Sequence, residues 1–300
     1  MVESAASLDL PQSQAIRAGV GNWDAFPHER LDLVWQAADD WKRALAGVTR
    51  PWLCWCVDDE WCLVQQRLVR ACGWTPIVGT DGRVPRPTLL PEALFLDFNA
   101  RLRLPLMYMH FPLEFVFRFA DILAFWHSDL LPPLSVLRPV AEMFTAIAPG
   151  EYLGVREQAG RVDVLKAVWR AIRQRNLANL RNVWERRWFE VIGCTTAEAS
   201  RQQFECGCGI WKHVERHPHA PRQLRGRPPY YDHGVGVWCW ERFFSGQARE
   251  LPVDVRPFHY VTVGSQRARN AQGVREKSRD LANYSLPSIV ARLGLQDRPP

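Results

Sequence analysis

The chain has 300 residues, 47% of them hydrophobic and 23% charged, which supplies a sizeable core and excludes a disordered or fibrous protein. Lys and Arg outnumber Asp and Glu by 38 to 32, giving a net charge of +6 that favours anionic ligands or surfaces without naming one. No apolar run reaches the roughly 18 residues of a transmembrane helix, and Glu3, Asp9, Asp24 and Glu29 interrupt the stretch where a signal peptide would lie. A cytoplasmic protein with no transmembrane segment is expected, its eight cysteines reduced and several of them acting as small hydrophobes.

Residues 1 to about 20 carry little pattern, whereas from Trp23 to Leu45 apolar residues recur at helical spacing and predict an amphipathic brace on the core. Pro51 to Val57 reads as a strand, with Cys54 and Cys56 as alternating core residues. Asp58-Asp59-Glu60 then opens a helix from Trp61 to Cys72 that Gly73 stops. Thr75 to Val78 is a second strand, followed by a turn at Gly79 to Gly82 and a proline-punctuated loop. The pattern from Leu94 to Leu113 is mixed. Phe111-Pro112-Leu113-Glu114 turns the chain into an apolar run from Phe119 that reads as a buried strand ending in His127-Ser128-Asp129. Leu134 to Ile147 is a further helix with Pro149-Gly150 as its stop, and Glu151 to Val155 is another strand. This alternation predicts an α/β fold with a mainly parallel sheet.

Between Arg161 and Arg187 seven arginines and Lys166 stand against Asp163 and Glu185, with Trp169, Trp184 and Trp188 in and beside the segment. A basic helix with aromatics fits nucleic acid or an anionic membrane, so peripheral membrane contact stays open. The reading adopted is a solvated face with its tryptophans turned inward, and no nucleic-acid partner. Phe189 to Cys194 is a strand entering a helix capped at Thr195-Thr196, with Glu198 as the reciprocal acid. Arg216 to Tyr231 reads as loop, Trp238 to Phe244 as a short aromatic element, Arg267 to Arg279 as a basic polar segment and Leu286 to Leu295 as a last helix. Fourteen tryptophans, with Trp52, Trp55, Trp61 and Trp74 close together, require partners and are mostly assigned to the core.

Two side chains at i and i+2 of an extended segment project to the same side, so His127 and Asp129 can face one divalent ion. The plainer reading is that Asp129 caps the following turn while His127 is a packed histidine. Phe204 to Trp211 and Tyr231 to Trp238 each hold two glycines, where a backbone approaches something closely or two bent strands pack on tryptophans. A competing site is zinc on Cys206 and Cys208 with His213, His217 and His219. The Cys-x-Cys spacing is tight for one ion, and these residues are expected not to converge.

In order, a first strand with acids at its end (Trp52 to Asp59), a strand leading to an acidic triplet (Asp121 to Asp129) and later glycine-rich segments resemble nucleotide-sugar-dependent glycosyltransferases of the GT-A fold, over roughly residues 50 to 265. The resemblance implies a Rossmann-related, mainly parallel sheet flanked by helices, with residues 1–49 as an N-terminal helical extension and 266–300 as a C-terminal basic segment and helix. It implies Mn2+ or Mg2+ bridging the donor diphosphate, held by His127, Asp129 and the late His259. The first triplet position is His127 where the family carries Asp. Glu205, Asp232 and His233, beside the glycine segments, are the candidate catalytic residues on the acceptor side. Asp58 and Asp59, at the end of the first strand, are candidates for the nucleotide base or ribose. The donor would be a nucleotide sugar and the acceptor a glycan, protein or small molecule. The alternatives are a zinc-stabilised basic module that binds a polyanion and a catalytically inactive protein of the transferase fold.

Overall fold

The computed structural model describes residues 31–80, 84–97, 110–156, 161–173, 175, 188–206, 208, 233–261 and 280–295. The start of the helix predicted from Trp23, the whole loop from Arg216 to Tyr231, the basic segment from Arg267 and Trp184 lie outside the described residues.

Helix α1 (Leu31–Ala44) buries Val34, Ala37, Ala38 and Trp41, the one-sided stripe that its periodicity predicts. Strand β1 (Pro51–Cys56) is buried throughout, as a central parallel strand must be. Helix α2 (Asp59–Ala71) starts where Asp58, in extended backbone, accepts the Trp61 N–H at 3.2 Å, and the chain turns away at Gly73, whose φ of +75° suits glycine. There follow β2 (Thr75–Thr80), the two-residue β3 (Leu94–Phe95), short helices α3 (His110–Glu114) and α4 (Val116–Phe119), and β4 (Ile122–Trp126). After β4 come α5 (Leu134–Thr145), β5 (Glu151–Arg156), α6 (Arg161–Arg173), β6 (Trp188–Thr196), α7 (Ala197–Glu205), α8 (His233–Phe244), β7 (Gln247–Glu250) and α9 (Leu286–Val290).

The protein is α/β, with a seven-stranded, mostly parallel mixed sheet in the order β3-β2-β1-β4-β6-β5-β7, a Rossmann-like arrangement. Strand β6 alone runs against its neighbours, antiparallel to both β4 and β5, and β5 pairs in parallel with β7. From β1 the chain adds strands outward to β3, then returns to place β4 on the other side of β1. The order therefore reverses between β1 and β4, and the carboxyl ends of those two strands flank the crevice that such a reversal opens.

Helices cover both faces. Trp52 of β1 packs with Trp126 of β4 and Phe144 of α5 at ring separations of 5.1 and 5.2 Å on one face. On the other, Phe125 lies by Tyr152, Tyr152 by Trp188, and the Trp188 indole N–H donates to Glu241 of α8 at 2.8 Å. The same hydrophobic cluster takes in Trp41 of α1 and Leu281, Ile289 and Leu293 near the C-terminus.

The structure corrects three local readings. The second glycine segment is, from His233 on, not a glycine-bent strand but the start of α8, continuous with the aromatic element to Phe244. A Cβ at Gly236 would lie 2.3 Å from the Cys208 carbonyl oxygen, so this glycine lets the helix approach the chain beside the first glycine segment. Strand β7 was not anticipated, because Gln247-Ala248-Arg249-Glu250 has no apolar run and lies half exposed at the edge of the sheet. Finally, Trp169 on α6 is exposed and not turned inward, although Trp188 is buried.

Candidate metal centre

His127, Ser128 and Asp129 follow the last residue of β4 and form the turn at its carboxyl end. The His127 N–H donates to the Val191 carbonyl of β6 at 2.9 Å, so the triplet starts while the chain is still tied to the sheet. Beyond it, Leu130 forms an antiparallel bridge with His259. The Tyr260 N–H donates to the Asp129 carbonyl and the Leu131 N–H to the Phe258 carbonyl, both at 3.0 Å. This short ladder brings His259 beside His127, 132 positions apart in sequence.

His127 Nδ1 lies 3.2 Å from His259 Nε2, Asp129 Oδ1 lies 3.2 Å from His259 Nε2, and His127 Nδ1 lies 3.9 Å from Asp129 Oδ1. One point is therefore equidistant from all three atoms at about 2.0 Å, within the range of roughly 2.0–2.2 Å at which imidazole and carboxylate ligands hold a first-row divalent ion. The side chains are 11%, 6% and 1% exposed for His127, His259 and Asp129. They are the one group among the described residues able to converge on an ion in this way. Two imidazoles and a carboxylate leave coordination positions open for ligand oxygens. The ligating nitrogen of each ring must carry no proton, so binding of an ion weakens with acidification.

The turn is held from below by Gln65 of α2, whose side-chain amide donates to the carbonyls of His127 at 2.7 Å and Leu130 at 3.1 Å. Trp61, one turn earlier on α2, sets its ring against Tyr260 at 5.4 Å, and the Tyr284 hydroxyl donates to the Tyr260 carbonyl. Sequence reading overlooked Gln65 despite a usable signal: a glutamine on the apolar line of an amphipathic helix, fully buried. Gln65→Leu keeps the shape and removes both donors. It is expected to cost about 1–3 kcal/mol of stability and to weaken metal binding by roughly 10- to 100-fold, measured by denaturation and by metal titration.

The other candidate residues are placed differently. Asp58 caps α2, and Asp59 accepts from both the N–H and the hydroxyl of Thr88 at 2.6 Å, so each carboxylate at the end of β1 already ties local structure together. Glu205 is the exposed last residue of α7. Asp232 lies outside the described residues, as does the side chain of His233, the residue that opens α8. Cys206 is half buried and Cys208 buried, and burial pushes the Cys208 thiol up from its ordinary value. His213, His217 and His219 lie outside the described residues. None of the eight cysteines, all of them described residues, forms a disulfide. A second polar cluster, absent from the sequence reading, stands at the same edge of the sheet: Arg156, at the end of β5, stacks 4.0 Å over the Trp188 ring and pairs with Glu241 at 2.5 Å.

No protein-family model matches the chain, and no curated protein sequence matches it.

Proposed function

We propose that the protein is a metal-dependent glycosyltransferase with a GT-A-like catalytic domain, transferring a sugar from a nucleotide-sugar donor to an acceptor. The observation that carries this reading is the convergence of His127, Asp129 and His259 at the carboxyl end of β4, beside the strand-order reversal where α/β sheets bind nucleotides. The start of α2 supports it further. In dinucleotide-binding sheets a glycine-rich turn after β1 offers the helix N-terminus to a pyrophosphate. Here Val57-Asp58-Asp59-Glu60 fills that turn with acids, and Asp58 takes the Trp61 N–H for itself. A diphosphate would be repelled there, so its neutralisation falls to another group, which the cluster beside it is suited to hold.

Bound at this cluster, a divalent ion would neutralise the leaving diphosphate as the sugar carbon becomes cationic. The chain's own task is to fix the ligands. The ladder from Asp129 to Tyr260 sets the spacing of the two imidazoles, and Gln65 holds the turn that carries the carboxylate. Of Mn2+ and Mg2+, the nitrogen-rich set favours manganese, because magnesium demands oxygen ligands in near-ideal octahedral geometry. Glu205, Asp232 and His233 remain the candidates for activating the acceptor hydroxyl.

The test is a thermal-shift series with uridine and guanosine diphosphates, each with and without Mn2+, Mg2+ and Zn2+. A rise in melting temperature that requires both metal and nucleotide is expected, larger with manganese than with magnesium. A single zinc per chain that stabilises the protein with no nucleotide response would instead favour the zinc-stabilised module.

A further inference from the structure

Helix α6 begins at Arg161, five residues after Arg156 ends β5. Because β4 and β5 each run antiparallel to β6, they run parallel to one another, and this is the same edge on which His127 and Asp129 stand. The helix carries Leu165, Trp169 and Ile172 at i, i+4 and i+7, and these are 68%, 60% and 71% exposed. The line one residue back from each of these is the anchored one, with Ala171 buried and Val164 and Val168 half buried. Three large apolar side chains in line along one helix are not the scattered surface leucines of an ordinary protein.

The chemistry beside the stripe identifies what covers it. One residue on from each apolar position the sequence places a base, Lys166, Arg170 and Arg173, so basic positions follow the apolar ones along the helix. Asp163 is the lone acid in α6. Trp169 sits at the boundary of the two lines, with the Arg173 guanidinium 5.1 Å from its ring centre. An indole between an apolar layer and a charged one is the arrangement of the membrane–water interface. A second protein copy would complement the apolar line but set cations against cations. A nucleic acid would meet the bases, yet Leu165 and Ile172 offer it neither stacking nor hydrogen bonds.

We infer that α6 is an interfacial helix that docks the protein on an anionic lipid surface, with Leu165, Trp169 and Ile172 entering the headgroup–acyl boundary and the neighbouring bases contacting lipid phosphates. None of the described helices is long and apolar enough to cross a membrane, so the helix lies on the surface and does not span it. Docking would turn the edge that carries His127 and Asp129 toward the bilayer. If the protein is the transferase proposed above, a lipid-carried acceptor would meet the site there.

The experiment is co-sedimentation of the full chain with phosphatidylcholine vesicles, with and without phosphatidylglycerol, in the absence of metal and nucleotide, so that its outcome is independent of the transferase reading. Binding is expected to the anionic vesicles alone and to fall as salt is raised. The double variant Leu165→Glu, Ile172→Glu should lose more than tenfold in affinity while melting at the same temperature, because both side chains are exposed. Trp169→Phe should remove the blue shift of tryptophan emission that vesicles produce in the parent. No binding to anionic vesicles would overturn the inference. So would a dimer that the double variant dissociates, an RNA oligomer bound by the parent in place of vesicles, or a double variant that binds vesicles as the parent does.

Discussion

Asp129→Ala is expected to abolish metal binding while leaving the metal-free protein as stable as before, or slightly more so. The two halves of this expectation have separate causes. Asp129 is fully buried at the end of β4, and its carboxylate oxygen stands 3.2 Å from His259 Nε2 and 3.9 Å from His127 Nδ1. Without a cation, the imidazoles beside the buried carboxylate offset part of the cost of holding it away from water, so its removal changes the stability of the metal-free protein little. With a cation, the same oxygen is the one anionic ligand of the three, and its loss leaves two neutral imidazoles. At a metal concentration about 100 times the dissociation constant, the parent gains roughly 2.7 kcal/mol from loading. The variant should gain almost none, so the metal-induced shift in melting temperature should vanish while the unshifted value stays put or rises. A variant that keeps its metal response would place the ligands elsewhere, with Cys206 and Cys208 next to be tested. A metal-free variant that melts far lower would make Asp129 a structural carboxylate.

The order of elements was legible because most of the strands are apolar runs bounded by recognisable stops. Pro51 to Cys56 and Ile122 to Trp126 read as buried strands from composition alone, and Asp58 announced α2 by the chemistry of its cap. What the chain could not show was direction. Nothing in Trp188 to Thr196 distinguishes a strand running with its neighbours from one running against them, since direction is set by connections and by pairing across the sheet. The glycines of α8 misled because glycine marks close approach as well as turning. At Gly236 the approach is to the backbone of Cys208, a contact between segments that no local pattern records.

The candidate site was legible in part for the same reason. His127 and Asp129 stand two residues apart after an apolar strand, a local signal. His259 is a lone histidine in sequence, and only the bridge between Leu130 and His259 makes it a neighbour. Asp58 and Asp59 offered an equally plausible local signal, yet in the fold one caps a helix and the other anchors Thr88. Acids at the end of a strand serve ligands or helix starts equally well by composition, and the hydrogen-bond partners separate the two uses. On α6 the sequence suggests a tryptophan turned inward because burial is where such residues usually go. The 60% exposure of Trp169 is a property of how the helix sits on the body, which its own periodicity does not fix.

Trp52→Ala is expected to have the opposite effect to Asp129→Ala, a large loss of stability with little change in metal affinity. Trp52 lies in β1 between β2 and β4, paired with Pro76 and Ala124, and is fully buried. Its ring meets Trp74 at 5.5 Å, Trp126 at 5.1 Å and Phe144 at 5.2 Å, so three large aromatics from β4, α5 and the residue just before β2 close around it. Truncation removes the transfer free energy of the indole and leaves a cavity that these rings, held by the sheet and by α5, cannot fill. The cost should be about 3–5 kcal/mol, a large share of the 5–15 kcal/mol typical of a folded domain, and should lower the melting temperature by roughly 10 °C. Trp52→Phe keeps a ring in the same place and should lose much less. The ligands are fixed by the turn after β4, by Gln65 and by the ladder to Tyr260, and none of these contacts uses the Trp52 side chain. The metal titration of the folded variant should therefore follow that of the parent within a few-fold, although its denaturation midpoint moves. A variant that melts like the parent would mean that the aromatic cluster is not the centre of the core, and one that loses metal while still folded would mean that Trp126 passes the change in packing directly to His127.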